Sequence, residues 1–241
     1  MATGLTTAPS AATATDITQR AADAVALYFA AHLPRLERHA ADMARAIGAH
    51  APGTLTASRI DDLIEPHAHG ILDHPHEPVY GAGFIAAMDL LADAPSHLAW
   101  WQGNDRRKLV FPAQSVKQAI DYRELEWFRV PSTTGAAHVA GPYVDYLCSD
   151  EYTMTAAAPV VVDGTFVGVA GLDVLVDTVE RRLTPSLRAL GRPILLVNGV
   201  GRVLVSTDPR FASGDVVRSG RLEVVARQRC AAVDLDVVVA A

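Results

Sequence analysis

The sequence predicts an α+β fold in which a long N-terminal helix packs along two units, each built on an antiparallel sheet. Three observations carry this. Apolar residues recur at helical spacing over the first fifty positions, two strand–turn–strand patterns follow further on, and helices are set apart from strands instead of alternating with them. Strands joined directly by tight turns must pair antiparallel, because a parallel pair needs a long crossover.

Residues 1 to 15 are small and polar and are expected to be a disordered tail. Asp16 and Gln19 have the form of a capping box. After them Ile17, Ala21, Val25, Tyr28, Leu36, Met43 and Ile47 mark one face of a helix over 16–50, which Pro34 should kink or split. Ala51-Pro52-Gly53 ends it, and a second helix is expected over Ala57 to Ile64. From Val79 onward VYGAGFIAAMDLL, HLAWWQG and RKLVFP read as short strands or turns.

The clearest hairpin runs from Met154 to Val174, where Asp163-Gly164 is the preferred pair for a tight primed turn between β-branched runs. Helical spacing returns through Leu175, Val179, Leu183 and Leu187. Beyond Gly191-Arg192-Pro193, ILLVN and RVLVST form a second hairpin, with strands at LEVVA and AVDLDVVVA. The expected division is therefore a larger unit over 51–190 and a smaller one over 191–241.

Composition narrows the function. The chain has 241 residues, half of them hydrophobic, and a net charge of -6. A nucleic-acid surface needs a basic face, so no nucleic-acid partner is expected. No run of eighteen apolar residues is present, and the N-terminus lacks the basic start and apolar stretch of a secretory signal. With two cysteines, Cys148 and Cys230, no disulfide framework is expected, and the reading is a cytoplasmic protein without a membrane span.

Four histidines, His67, His69, His74 and His76, lie within ten residues. Pairs two apart align on a strand, yet Pro75 and Pro78 oppose a long strand, and neither CxxC nor HExxH is present. The segment is expected to be a solvated, irregular helix end that holds no metal. GxSxG is absent, GAGFIA lacks the later glycine of a dinucleotide loop, and Cys148 sits among acids that blunt it as a nucleophile. No cofactor and no catalytic activity are expected.

Aromatic residues, only 6% of the chain, are concentrated in about fifty positions. Asp121 to Arg129 alone holds Tyr122, Trp127, Phe128 and five charges. DYRELEWF at 121–128, GPYVD at 141–145 and APVVVDGTFVGVAGLD at 158–173 together resemble the Cache family of PAS-like sensor domains of bacterial chemoreceptors and kinases. ILLVNGVGRVLVSTDPRFASGD resembles the smaller second module of the double-Cache form, so the resemblance spans roughly 16 to 241. It implies two PAS-like modules, the larger one holding a small-molecule ligand.

Carried over by position, the resemblance places Trp127, Phe128, Tyr143, Asp145 and Asp173 in that pocket. Trp101 and Tyr122 are added from the local aromatic density. Phe128 and Tyr146 fit a core role equally well. In the amino-acid-sensing branch an arginine two before the tryptophan clamps the ligand carboxylate, with a tyrosine five before that arginine; these positions are Leu125 and Ile120 here. Arg123 matches the family's other, structural arginine. Asp173, the ammonium partner in that branch, is retained, with Asp145 as a possible second acid. Carboxylates and aromatic faces without a clamp suit a cation: an amine, a polyamine or a quaternary ammonium. Family members normally sit between two membrane helices. The expectation here is a stand-alone sensor that signals through a partner protein, with homodimerisation through the N-terminal helix also possible. The rival expectations are a ligand-free scaffold and a sensor of small carboxylates or amino acids.

Overall fold

The computed structural model describes residues 13–51, 53–74, 78–110, 121–218, 220–230 and 233–241. Most of the expected tail, together with Pro75, His76 and Ile120, lies outside the described residues.

Two helices stand where one was expected. α1 (Ala14–Ala30) opens with a capping box in which the Thr13 hydroxyl accepts from the Asp16 amide, so the pair is Thr13/Asp16 and not Asp16/Gln19. α2 (Leu33–Gly48) follows after Ala31 and His32, with Pro34 in its first turn. Proline has no N–H to give to the preceding turn, and the break sits where that bond is lost. α3 (Ala57–Leu72) is capped by Thr56 and runs eight residues past the expected end, carrying Pro66 within it. His67 and His69 therefore stand on a regular helix. Its last carbonyls meet two arginines: Arg35 of α2 donates to the carbonyls of Gly70, at 2.9 Å, and of Ile71, while Arg106 donates to that of Leu72 at 2.9 Å. Cationic donors at a helix C-terminus satisfy carbonyls that have no partner within the helix.

The first sheet has six antiparallel strands in the order β3-β2-β1-β6-β5-β4. They are β1 (Gly81–Ala86), β2 (Leu98–Gln102), β3 (Arg107–Lys108), β4 (His138–Val144), β5 (Tyr152–Val162) and β6 (Thr165–Leu175). A 3-10 turn (Tyr122–Glu124) and α4 (Glu126–Thr134) precede β4. α5 (Val176–Arg188) leads to the second sheet, β7 (Ile194–Asn198), β8 (Val203–Ser206), β9 (Val224–Arg229) and β10 (Leu235–Ala240), ordered β8-β7-β10-β9. α2 and α3 pack on the first sheet, and α1 packs on β9, β10 and α5.

The β5–β6 hairpin forms as expected, with Asp163 and Gly164 at φ of 48° and 79°. Its register changes once, between Val160 and Val161: Val161 pairs with Phe166, but Val160 pairs with Gly168. β6 thus carries one extra residue there. Gly168 absorbs it at φ 150°, and a Cβ at this position would lie 2.2 Å from the Ile85 carbonyl oxygen. Such a bulge reverses the facing of every later residue of the strand.

Gly168→Ala should cost about 3 kcal/mol, combining left-handed strain with a backbone clash. Gly164→Ala, whose new methyl meets nothing within 4 Å, should cost about 1 kcal/mol from strain alone. Urea unfolding midpoints rank the two, and equal losses would refute the role given to the bulge.

Candidate functional site

One face of the first sheet packs on the helices and the other on α4 and the aromatic segments, because strand side chains alternate. On the helix face lie Ala82, Phe84, Ala99, Trp101, Met154, Ala156, Leu172 and Val174, all in one large core cluster. On the opposite face Ile85, Leu98, Trp100, Ala157 and Val169 join Tyr122, Trp127, Phe128, Ala140 and Leu147.

A cavity opens on this second face. Ile85, Leu98, Trp100, Trp127, Tyr143, Asp145, Leu147, Cys148, Thr155 and Asp173 line it. Its interior volume is about 20 Å³, room for about one water, so a small metabolite enters only if the lining side chains move apart. Glycine makes the room. The Trp100 ring lies so close over β1 and β6 that a Cβ on Gly81 would come within 2.7 Å of its Nε1, and one on Gly171 within 3.1 Å of the ring. Trp100 Nε1 is buried and has no hydrogen-bond partner among the described residues.

Asp173 is the chemical centre. Its neighbours in register are Gly81 of β1 and Thr155 of β5. The Thr155 hydroxyl donates to its Oδ1 at 2.5 Å, and the Tyr143 hydroxyl bonds Thr155 in turn. Since Thr155 gives its one proton to Asp173, Tyr143 must donate to Thr155 while the acid is ionised. Burial pushes the Asp173 carboxyl up to about 8, against the pull of the Thr155 hydrogen bond, with the negative charge of Asp145 adding to the rise. Burial, with Asp173 next, also holds the Tyr143 phenol well above its usual range, so it stays a donor. No basic side chain lines the cavity among the described residues.

The expected site residues separate into groups. Trp127, Tyr143, Asp145 and Asp173 line one cavity. Asp145 uses its carboxylate within its own loop: Oδ1 accepts from the amides of Leu147 and Cys148, each at 3.1 Å, and Oδ2 from the Ser149 hydroxyl at 3.2 Å. Phe128 packs edge-on against Phe166 and Trp127 behind the cavity wall. Tyr122 lies against Trp127 and borders a separate groove with His97, Leu98 and Lys108. Trp101 is misassigned, because it faces the helices and meets His69 edge-on. Its neighbour Trp100 takes the place. Tyr146 is exposed and belongs to no core. Arg123 pairs with Asp121 beside it. Sequence reasoning missed Trp100, Thr155, Leu98 and Ile85. Strand alternation could have found them: with Asp173 facing in, its register partner Thr155 faces in, as do Gly171 and Val169 of β6 and, across β1 and β2, Trp100, Ile85 and Leu98.

His39, Asp42 and His67 also approach one another, each offering a ligand atom within 4.8 Å of the others. They lie on α2 and α3, away from the cavity.

No curated protein matches the chain by sequence. Residues 85–181 match the family described as methyl-accepting chemotaxis protein-like, first PDC sensor domain. That segment carries the α4 aromatics and the β5–β6 hairpin. Among solved structures, the ligand-binding domain of the Pseudomonas fluorescens chemoreceptor CtaA in complex with L-valine is 14% identical, with a TM-score of 0.61 over 94% of this chain and 93% of that one. The ligand-binding domain of the Pseudomonas aeruginosa PAO1 amino acid chemoreceptor PctB in complex with L-Arg is 17% identical, with a TM-score of 0.57 over 94% and 85%. That of the Campylobacter jejuni chemoreceptor Tlp3 in complex with L-valine is 13% identical, with a TM-score of 0.58 over 85% and 74%. The chain thus has the fold of chemoreceptor ligand-binding domains, and from residue 85 to 181 it matches a PDC sensor domain of the methyl-accepting chemotaxis type.

Proposed function

We propose that the chain is a non-catalytic sensor of double-Cache form whose larger unit, residues 51–190, binds a small metabolite through a protonated amine. One observation carries the reading: Asp173 is a buried acid that lines, with aromatic residues, a cavity that no basic residue lines among the described residues. Burial keeps Asp173 protonated while the site is empty, and a ligand ammonium would favour the charged form by pairing with it. The indoles of Trp100 and Trp127 offer faces to the cation, each contact worth roughly 0.5 to 2 kcal/mol. Leu125, standing where the resemblance puts a carboxylate-clamping arginine, offers no counter-charge. The state of the site is passed to a partner protein, and no described helix is long and apolar enough to cross a membrane.

A second reading has support of its own. The three chemoreceptor domains compared above are complexes with L-amino acids. An amino acid would set its ammonium on Asp173 in the same way, and its carboxylate could meet the free Trp100 N–H. A thermal-shift panel of amines, polyamines, quaternary ammonium compounds and amino acids separates the readings. Ligand at a hundredfold excess over Kd stabilises the fold by about 2.7 kcal/mol. Amines without a carboxylate are expected to shift the wild type, and Asp173→Asn to weaken them by about 2 kcal/mol or more. Shifts from amino acids alone favour the second reading. Binding that Asp173→Asn leaves unchanged sinks both, and silence across the panel favours a scaffold.

The apo protein supplies an independent check. The folded state keeps a proton on Asp173 up to about pH 8, whereas an unfolded chain releases it near pH ~4. Between these limits the folded state binds more protons than the unfolded one. Stability is therefore full below about 4 and declines as pH rises through about 8, by at most about 1.4 kcal/mol per unit. Asp173→Asn removes this decline. Urea unfolding of both proteins from about pH 5 to 9 tests it, and parallel pH profiles would refute the buried acid.

A further inference from the structure

We propose that His39, Asp42 and His67 form a binding site for a single divalent transition-metal ion, zinc being the best match, which clamps α2 to α3. His39 and Asp42 are three apart on α2, so they stand on one face, and α3 brings His67 up to them. Their ligand atoms all lie within 4.8 Å of one another. Ligands about 2.0–2.2 Å from a tetrahedral zinc sit roughly 3.3 Å apart, so the three side chains need to close by an ångström or so.

A further observation points to an ion. Nδ1 of His39 is buried without a hydrogen-bond partner among the described residues, an unusual state for a polar atom. The His39 ring also rests beside Gly70, where a Cβ would come within 3.4 Å of its Cε1. The pairing of Arg35 with the end of α3 already fixes the two helices against each other, so the ligands are positioned before any ion arrives.

Opposing effects are present. Arg35 and Arg38 place positive charge near His39, and Asp42 is paired with the exposed Arg45. A surface pair of this kind contributes little and is readily exchanged. Two imidazoles and one carboxylate are borderline ligands that suit zinc over magnesium or calcium, and three protein ligands leave a fourth position for water.

Zinc titration of the full chain by calorimetry, with the melting temperature followed in parallel, tests the site. One equivalent is expected to bind and raise the melting temperature, and a chelator should reverse both. His39→Ala and His67→Ala should each weaken binding at least about 100-fold, since even outer-shell partners of a metal cost 10–100-fold. Asp42→Asn, which keeps the side-chain shape, should weaken it less, and His74→Ala should leave it intact. Circular dichroism of each variant confirms folding, and should His39→Ala fail to fold, Asp42→Asn and His67→Ala decide. No zinc uptake by the wild type, or uptake that survives in both His67→Ala and Asp42→Asn, would overturn the proposal.

Discussion

The facing of one strand decides whether this molecule has a cavity with chemistry in it. Paired residues of an antiparallel ladder point to the same side. Without the extra residue at the β6 bulge, Asp173 would pair with Met154 and enter the apolar layer beneath α2. With it, Asp173 pairs with Thr155 and faces the aromatic layer. A bulge can be kept only where a residue tolerates its backbone angles and a neighbouring strand tolerates its proximity, and Gly168 meets both demands against Ile85 of β1. The hydroxyl relay from Tyr143 through Thr155 and the raised Asp173 both follow from that single displaced residue.

The same logic explains what the sequence made legible. Local chemistry was readable: the Asp163-Gly164 turn, the α1 periodicity, the break at Pro34 and the antiparallel hairpins all stand as the residues imply. Trp101 was not readable from composition, because aromatic density says nothing about facing. Trp100 and Trp101 are adjacent on β2 and point to opposite sides, one against the cavity and one against α3. The end of α3 was also hidden. Pro66 and the histidines look like breakers in isolation, yet the helix persists because Ile64, Ala68, Ile71 and Leu72 are buried against the sheet and two arginines satisfy its terminal carbonyls. Tertiary contacts overrode local preference there.

Polar groups on the aromatic side divide into those already committed and those still open. Asp145 accepts three hydrogen bonds from its own loop, so most of its capacity goes to shaping the cavity edge. Asp173 accepts from Thr155 alone among the hydrogen bonds described, and the Trp100 N–H donates to no partner among the described residues. One acceptor and one donor therefore remain across a narrow apolar gap, an arrangement that rewards a guest carrying complementary polarity at its two ends.

The break between α1 and α2 has a mechanical consequence. α2 rests on the first sheet and α1 on the second, so the two sheets are coupled through a bent element instead of a straight one. A straight rod passes on a push along its length without change. A bent one turns the same push into rotation about its elbow, with α2 held close to that elbow where Arg35 grips the end of α3. Motion originating around the first sheet would thus arrive at β9 and β10 as a tilt, with the far end of α1, near Ala14, sweeping through the largest arc.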